Sequence, residues 1–104
     1  MKIISWNVRG LGMPSKLYLV KDFLLLNHVD IYCIQESKLS LVDNSICRSI
    51  GGTRLDHYSY IPALGSAGGM IVGWNNILFE GHKIYQGTFC LSIEFKNKSS
   101  DFST

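Results

Sequence analysis

Residues 2–12, KIISWNVRGLG, and residues 30–39, DIYCIQESKL, set the architecture predicted for this chain. Each contains a short apolar run, residues 2–7 and 31–35, that is typical of a buried strand. Between them, apolar residues recur at steps of three and four (Leu17, Val20 and Leu24), which predicts an amphipathic helix over residues 15–27. A strand, a helix and a second strand in this order indicate a βαβ unit with two parallel strands.

The pattern changes after a second short helix, predicted over residues 43–50 with Asp43 as its N-cap. Four strand-like runs follow, at residues 57–62, 70–74, 77–86 and 89–96, with turn residues between them. In the last run, apolar Phe89, Leu91, Ile93 and Phe95 alternate with other side chains. The second half is therefore predicted to be an antiparallel meander, and the fold class is α/β.

Composition limits both the size and the setting of the protein. A chain of 104 residues forms one domain at most, and a net charge of +2 permits nucleic acid as a partner without arguing for it. No apolar run approaches the roughly 20 residues of a membrane span, so no membrane partner is expected. The N-terminus lacks a secretory signal, and the three cysteines suggest no disulfide framework. We expect an intracellular protein, not a secreted one, with Cys33 and Cys90 as buried thiols.

Polar residues close both strands of the βαβ unit. Asn7 ends the first strand and Glu36 follows the second. Because parallel neighbours end at the same edge of a sheet, these side chains should project into one crevice. An amide oxygen with a carboxylate is a hard-oxygen ligand pair that suits Mg²⁺ or Mn²⁺. In the alternative interpretation, Asn7 caps a turn and Glu36 is a solvated strand end.

The same two segments resemble the opening of the endonuclease/exonuclease/phosphatase superfamily, and most closely the apurinic-type endonuclease domain of plant LINE-type (non-LTR) retroelements. The resemblance implies that Asn7, in the "WN" strand, and Glu36, in the "QE" strand, bind or position a divalent metal. GSAGGMIVGW, residues 65–74, is similar to the Ser-Gly-Gly segment that begins a strand of that family. The resemblance to the superfamily covers residues 1–96. It implies the N-terminal half of a four-layered α/β sandwich, followed by a polar tail at residues 97–104.

The departures from the family concern catalysis. Its domain is about twice as long, and the second half supplies a Tyr, an Asp-x-Asn segment and an Asp-His pair that have no counterpart here. Arg9 and Lys38 are candidate phosphate contacts, with solvated loop charges as the alternative. We therefore expect a truncated, divalent-metal-dependent phosphodiesterase domain that contains no complete catalytic set and is inactive alone. Because Glu36 with a neutral Asn7 gives a formal charge of −1, Mg²⁺ or Mn²⁺ would bind weakly, if at all.

Partners and alternatives follow from the same resemblance. DNA is the expected substrate of the full-length family, a reverse transcriptase would lie in the parent polyprotein, and the nucleus is the expected location. A polypeptide that carries the missing C-terminal half could complement the chain. The alternatives are a non-enzymatic remnant or partner-dependent fragment and, less favoured, a nucleotide-binding α/β module. The last rests on Gly10-x-Gly12 with Glu36 further on, but Ser15 replaces the third glycine of that fingerprint.

Overall fold

A computed structural model describes residues 1–88 and 90–98 of the chain. The elements are β1 (Ile3–Asn7), α1 (Pro14–Leu26), β2 (Ile31–Gln35), α2 (Asn44–Gly51), β3 (His57–Ile61), β4 (Met70–Trp74), β5 (Phe79–Gln86) and β6 (Leu91–Asn97). Each element predicted from the sequence is present, with its ends displaced by a few residues at most.

The βαβ unit forms as predicted. Strands β1 and β2 are parallel, in a register that pairs Ile3 with Ile31 and Asn7 with Gln35. Pro14 stands in the first turn of α1, where its fixed φ fits the helix and no backbone donor is needed. The helix ends at Leu26, and His28 then adopts a left-handed conformation with φ of 52°. This is the usual backbone of a helix C-terminus and turns the chain towards β2.

Helix α2 is short and its ends are well defined. The Asp43 side chain accepts a hydrogen bond from the backbone N–H of Ile46 at 3.0 Å, which satisfies one of the unpaired donors of the first turn. Gly52, with φ of 64°, ends the helix. Cys47 and Ile50 are buried against the sheet. The predicted cap at Asp43 is confirmed.

The sheet order shows that the four later strands are divided between two sheets. Strand β4 pairs antiparallel with both β2 and β3, which gives a four-stranded sheet of order β1-β2-β4-β3, whereas β5 and β6 form a separate antiparallel pair. Strand β4 is apolar throughout and takes a central position, as expected for a strand covered on both faces. The later strands are antiparallel as predicted, but they form two pairs in different sheets, β3 with β4 and β5 with β6, and β4 does not pair with β5.

Two apolar layers flank the four-stranded sheet. On one face, Tyr32, Ile34 and Ile71 pack with the buried side chains of both helices. On the other face, Ile31, Val72 and Trp74 pack against Phe79 and other residues of the β5–β6 hairpin. The layers are thus helices, sheet and hairpin. This partial α/β sandwich confirms the predicted fold class.

Several expectations about surfaces and chain ends differ from the structure or lie outside the described residues. Helix α1 is not cleanly amphipathic, because Leu19, Leu25 and Leu26 are exposed in addition to its buried face. Cys90 is exposed and precedes β6 instead of lying buried within it, while Phe89, the predicted start of that strand, lies outside the described residues. Strand β6 runs one residue past the expected boundary at 96, and residues 99–104 of the predicted tail also lie outside the described part.

Candidate functional site

Strands β1 and β2 end together, as the sequence predicted. Asn7 is paired in register with Gln35, the last residue of β2, and Glu36 is the next residue along the chain. The side chains of Asn7 and Glu36 are both exposed. The Asn7 Oδ1 atom accepts a hydrogen bond from the backbone N–H of Arg9 at 3.2 Å. Asn7 therefore does close a turn, as the alternative interpretation held, but an amide oxygen has a second lone pair that remains available to a ligand.

The backbone at this edge adopts an unusual conformation. Arg9, Glu36 and Lys38 have φ values of 55°, 53° and 58°, in the left-handed region that residues with a Cβ rarely enter. Among the described residues, the only other non-glycine residue with positive φ is His28, which the end of α1 explains. Each such residue costs about 1–2 kcal/mol relative to an ordinary backbone conformation. All three charged residues predicted to contact metal or phosphate are held in this way.

Hydrogen bonds from the loop after β1 hold the chain around Glu36. The backbone N–H of Gly10 donates to the carbonyl oxygen of Glu36 at 2.8 Å. The backbone N–H of Leu11 donates to the carbonyl oxygen of Ser37 at 2.9 Å. The ammonium of Lys16, in α1, donates to the carbonyl of Val8 at 2.8 Å and ties this loop to the helix. Lys16 thus has a structural contact.

The glycine pair before β4 holds the other side of the same segment. The N–H groups of Ser37 and Lys38 donate to the carbonyl oxygens of Gly69 and Gly68, at 3.1 and 2.8 Å. If the β2–β4 register continued beyond the pair Gln35–Met70, Ser37 would instead lie opposite Gly68, and Lys38 opposite Ala67. The pairing has therefore slipped by one residue at Glu36, in the manner of a β-bulge. Such irregularities redirect a side chain and are common beside active sites.

The charged groups at this edge are not paired with one another. Within residues 1–88 and 90–98, the Glu36 carboxylate, the Arg9 guanidinium and the Lys38 ammonium make no ion pair and no side-chain hydrogen bond. Lys38 lies across Gly10, where an added Cβ would be 3.4 Å from its Cδ. An unpaired carboxylate and an amide oxygen have the donor chemistry that Mg²⁺ accepts, since this ion retains several waters and needs one or two carboxylates.

The rest of a hydrolytic centre has no counterpart nearby. In the part of the chain that the structure describes, no three His, Cys, Asp or Glu side chains lie close enough together to hold a metal ion. His57 contacts Asp56 at 3.6 Å and His82 contacts Glu80 at 3.4 Å, on β3 and β5. His57 pairs in register with Trp74, at the opposite end of the sheet from Asn7 and Glu36. His57 therefore does not supply a base at the candidate site.

Cavity size does not point to this site either. A cavity of about 490 Å³ is lined by Cys47, Arg48, Asp56 and His57, where α2 meets the start of β3. It lies at the opposite end of the sheet, and its volume reflects an open gap between a helix and a strand. The shifted pKa values also belong to structural groups, because burial raises the pKa of Tyr32, Cys47 and Cys33. The candidate residues at the sheet edge, by contrast, are exposed.

Comparison with known proteins adds evidence at the level of fold. No protein-family model and no curated protein sequence matches the chain. Among solved structures, an AP endonuclease from Archaeoglobus fulgidus is similar, with 26% identity and a TM-score of 0.56 over 81% of this chain and 30% of that one. The AP endonuclease LMAP from Leishmania major is similar with 20% identity and a TM-score of 0.56, over 85% of this chain and 32% of that one.

The chain has an endonuclease/exonuclease/phosphatase-type fold. It spans about a third of the length of the two AP endonuclease structures. The predicted superfamily fold is thereby confirmed, while the link to plant retroelements stays a prediction. No helix in the described ranges, 1–88 and 90–98, has the length and apolar character required to cross a membrane.

Sequence reasoning missed one residue at this site. Ser37 lies between the two charged residues of the loop and is completely buried, with 0% of its surface exposed. A polar residue directly after a strand is an ordinary loop residue by its sequence pattern. The hydroxyl of Ser37 is enclosed because the one-residue slip in the pairing of β2 with β4 brings it next to Gly69, and only the structure shows this.

Proposed function

We propose that this chain carries the metal-binding part of a divalent-metal-dependent phosphodiesterase of the endonuclease type. Asn7 and Glu36 would hold Mg²⁺ or Mn²⁺, and Arg9 and Lys38 would contact the phosphates of a nucleic acid. One observation carries the proposal. Glu36, Arg9 and Lys38 are the charged residues at the shared strand ends, and all three have strained left-handed backbones that solvated loop residues would not need.

The chemistry divides between the two pairs of residues. A bound divalent cation would neutralise phosphate charge and stabilise a leaving oxyanion. Asn7 and Glu36 supply one neutral and one anionic oxygen group, so their combined formal charge of −1 favours weak binding. Arg9 and Lys38 place two cations beside them, without ion-pair partners among the described residues, which favours an anionic ligand over a free cation alone.

The 104-residue chain by itself should hydrolyse phosphodiesters slowly or not at all. His57 lies at the opposite end of the sheet, the described residues hold no cluster of three His, Cys, Asp or Glu side chains, and a positioned general base contributes about 10²–10⁴-fold in rate. The wider proposal takes DNA as the substrate and a retroelement, with its reverse transcriptase, as the source; both follow from the sequence resemblance. Nuclear location belongs to the same set of expectations.

The exposed apolar side chains of α1 favour a second candidate function. Leu19, Leu25 and Leu26 are each more than half exposed on a helix that also buries Val20 and Leu24. Exposed apolar side chains that lie together in one patch are typical of a protein–protein contact. In this alternative the chain is a partner-dependent fragment without activity of its own, and a polypeptide with the complementary half of the sandwich would restore the complete centre.

Titration with Mn²⁺ tests the proposal directly. Binding to the 104-residue chain is measured by the loss of the free Mn²⁺ electron paramagnetic resonance signal. Asn7→Ala and Glu36→Gln should each weaken binding by about tenfold or more, since each removes one of two protein ligands. Glu94→Gln, which removes an exposed carboxylate on the hairpin, is the matched control and should leave binding unchanged.

Cleavage assays test the expected lack of activity separately. Plasmid DNA and a duplex with an abasic site are incubated with Mg²⁺ and each variant. We expect no cleavage above background in any sample. Mg²⁺-dependent cleavage that disappears in both Asn7→Ala and Glu36→Gln would contradict the inactivity of the isolated chain while supporting the metal site. Equal Mn²⁺ binding by all variants would refute the metal site itself.

A further inference from the structure

Ser37 is an enclosed polar residue at an otherwise exposed sheet edge. None of its surface is exposed, although its neighbours Glu36 and Lys38 are both exposed. The Ser37 Oγ atom accepts a hydrogen bond from the backbone N–H of Leu39 at 3.3 Å. A buried hydroxyl is unfavourable unless it is hydrogen-bonded, so its presence here indicates a specific contact.

Gly69 provides the space that the hydroxyl occupies. A Cβ added at Gly69 would lie 2.4 Å from Ser37 Oγ and 3.2 Å from the Lys38 amide nitrogen. No side chain larger than hydrogen fits there without displacing the serine, and the φ of 90° at Gly69 independently disfavours other residues. The close contact between Ser37 and Gly69 therefore coincides with the backbone hydrogen bond between the same two residues.

The position of this contact matters because it lies at the slipped register. Without the slip, the segment after Gln35 would continue the regular β2–β4 pairing. A change of register by one residue moves side chains to the opposite face of a sheet. The contact between Ser37 and Gly69 lies one residue after Glu36, at the point where the register changes.

We propose that Ser37 is a positioning residue for Glu36, and that its hydroxyl, fitted beneath Gly69, keeps the carboxylate at the edge it shares with Asn7. The inference rests on the proposed function, since it concerns the same metal site. Ser37 itself touches neither metal nor substrate. It acts as a supporting residue that orients a ligand, and loss of such residues typically weakens metal affinity by about 10–100-fold.

The first experiment compares Mn²⁺ binding by Ser37→Ala with that of the unchanged chain, again by electron paramagnetic resonance. Ser40→Ala is the matched control, because Ser40 is an exposed serine of the same loop. We expect affinity to fall by about tenfold in Ser37→Ala and to stay unchanged in Ser40→Ala. Circular dichroism of each variant, recorded at the titration temperature, establishes that the chain is folded.

A second variant tests the contact from its other side. Gly69→Ala should weaken Mn²⁺ binding as well, because the new Cβ displaces the serine hydroxyl. In the Ser37→Ala background the same substitution should have a smaller effect, since the group it collides with is gone. This non-additivity is what a shared contact requires and what two independent structural lesions would lack.

The outcomes separate this inference from the proposed function. Wild-type Mn²⁺ affinity in folded Ser37→Ala, or strictly additive effects in the double variant, overturns the positioning role while the metal site stands. Binding by the unchanged chain that is insensitive to Glu36→Gln overturns both proposals. Loss of affinity in Ser37→Ala with retained binding in Ser40→Ala supports the inference.

Discussion

Replacing Glu36 with glycine should make the protein more stable while abolishing metal binding. Glu36 has φ of 53°, and a residue with a Cβ in this region costs about 1–2 kcal/mol. Glycine relieves that cost, but it also makes the unfolded chain more flexible, which offsets about 0.4–1 kcal/mol of the stability gained. The side chain is exposed and makes no contact with a hydrogen-bond or ion-pair partner among the described residues, so nothing further is lost. The net gain is about 0.5–1 kcal/mol.

Thermal unfolding followed by circular dichroism measures this gain. For a chain of this size, 1 kcal/mol corresponds to a rise in Tm of about 4–8 °C. Mn²⁺ titration of the same sample should show loss of binding, because the carboxylate proposed as a metal ligand has been removed. A functional residue that lowers stability is expected to give this pair of opposite changes.

His28→Gly is the matched control. His28 is exposed, has φ of 52° and follows α1, at the opposite end of β2 from Glu36 and the proposed metal site. It should raise Tm by a similar amount and leave Mn²⁺ binding unchanged. The reasoning would be refuted if Glu36→Gly lowered Tm while His28→Gly raised it, or if Glu36→Gly retained wild-type Mn²⁺ affinity.

Three further outcomes follow from packing, burial and charge. Gly73→Ala should destabilise the protein by roughly 3 kcal/mol, measured by urea unfolding, because its Cβ would lie 2.2 Å from the buried ring of Tyr32. Burial raises the pKa of Tyr32 and Cys47 in the folded state, so these groups ionise first in the unfolded chain; the free energy of unfolding should fall as pH rises past about 9, and less steeply in Tyr32→Phe. If the chain binds duplex DNA, Arg9→Gln and Lys38→Gln should each reduce the salt dependence of log K by about 0.9.

Local patterns in the sequence were enough to predict most of the fold. The apolar runs of β1 and β2, the helical spacing in α1 and the Asp43 cap of α2 each depend on neighbouring residues, so they can be recognised without knowledge of distant contacts. The parallel βαβ unit follows, and with it the expectation that Asn7 and Glu36 meet at one edge. The structure pairs their strand ends as expected.

The division of the later strands between two sheets could not be read in the same way. Strands β4 and β5 are consecutive and both look like ordinary members of a meander, but β4 joins β2 and β5 pairs with β6. The choice depends on which apolar faces are already covered. Trp74 and Phe79 pack together between the layers, and that arrangement exists only when both sheets are present.

By itself, the sequence determined which residues stand at the strand ends and which ligand chemistry they offer, because residue identity and strand direction are local properties. Tertiary structure alone decided how Glu36 is presented. Its left-handed backbone and the one-residue slip arise from hydrogen bonds to loops some 26 residues before it and 33 residues after it, Gly10 and Gly69. A strained conformation of this kind persists only when distant parts of the chain hold it in place.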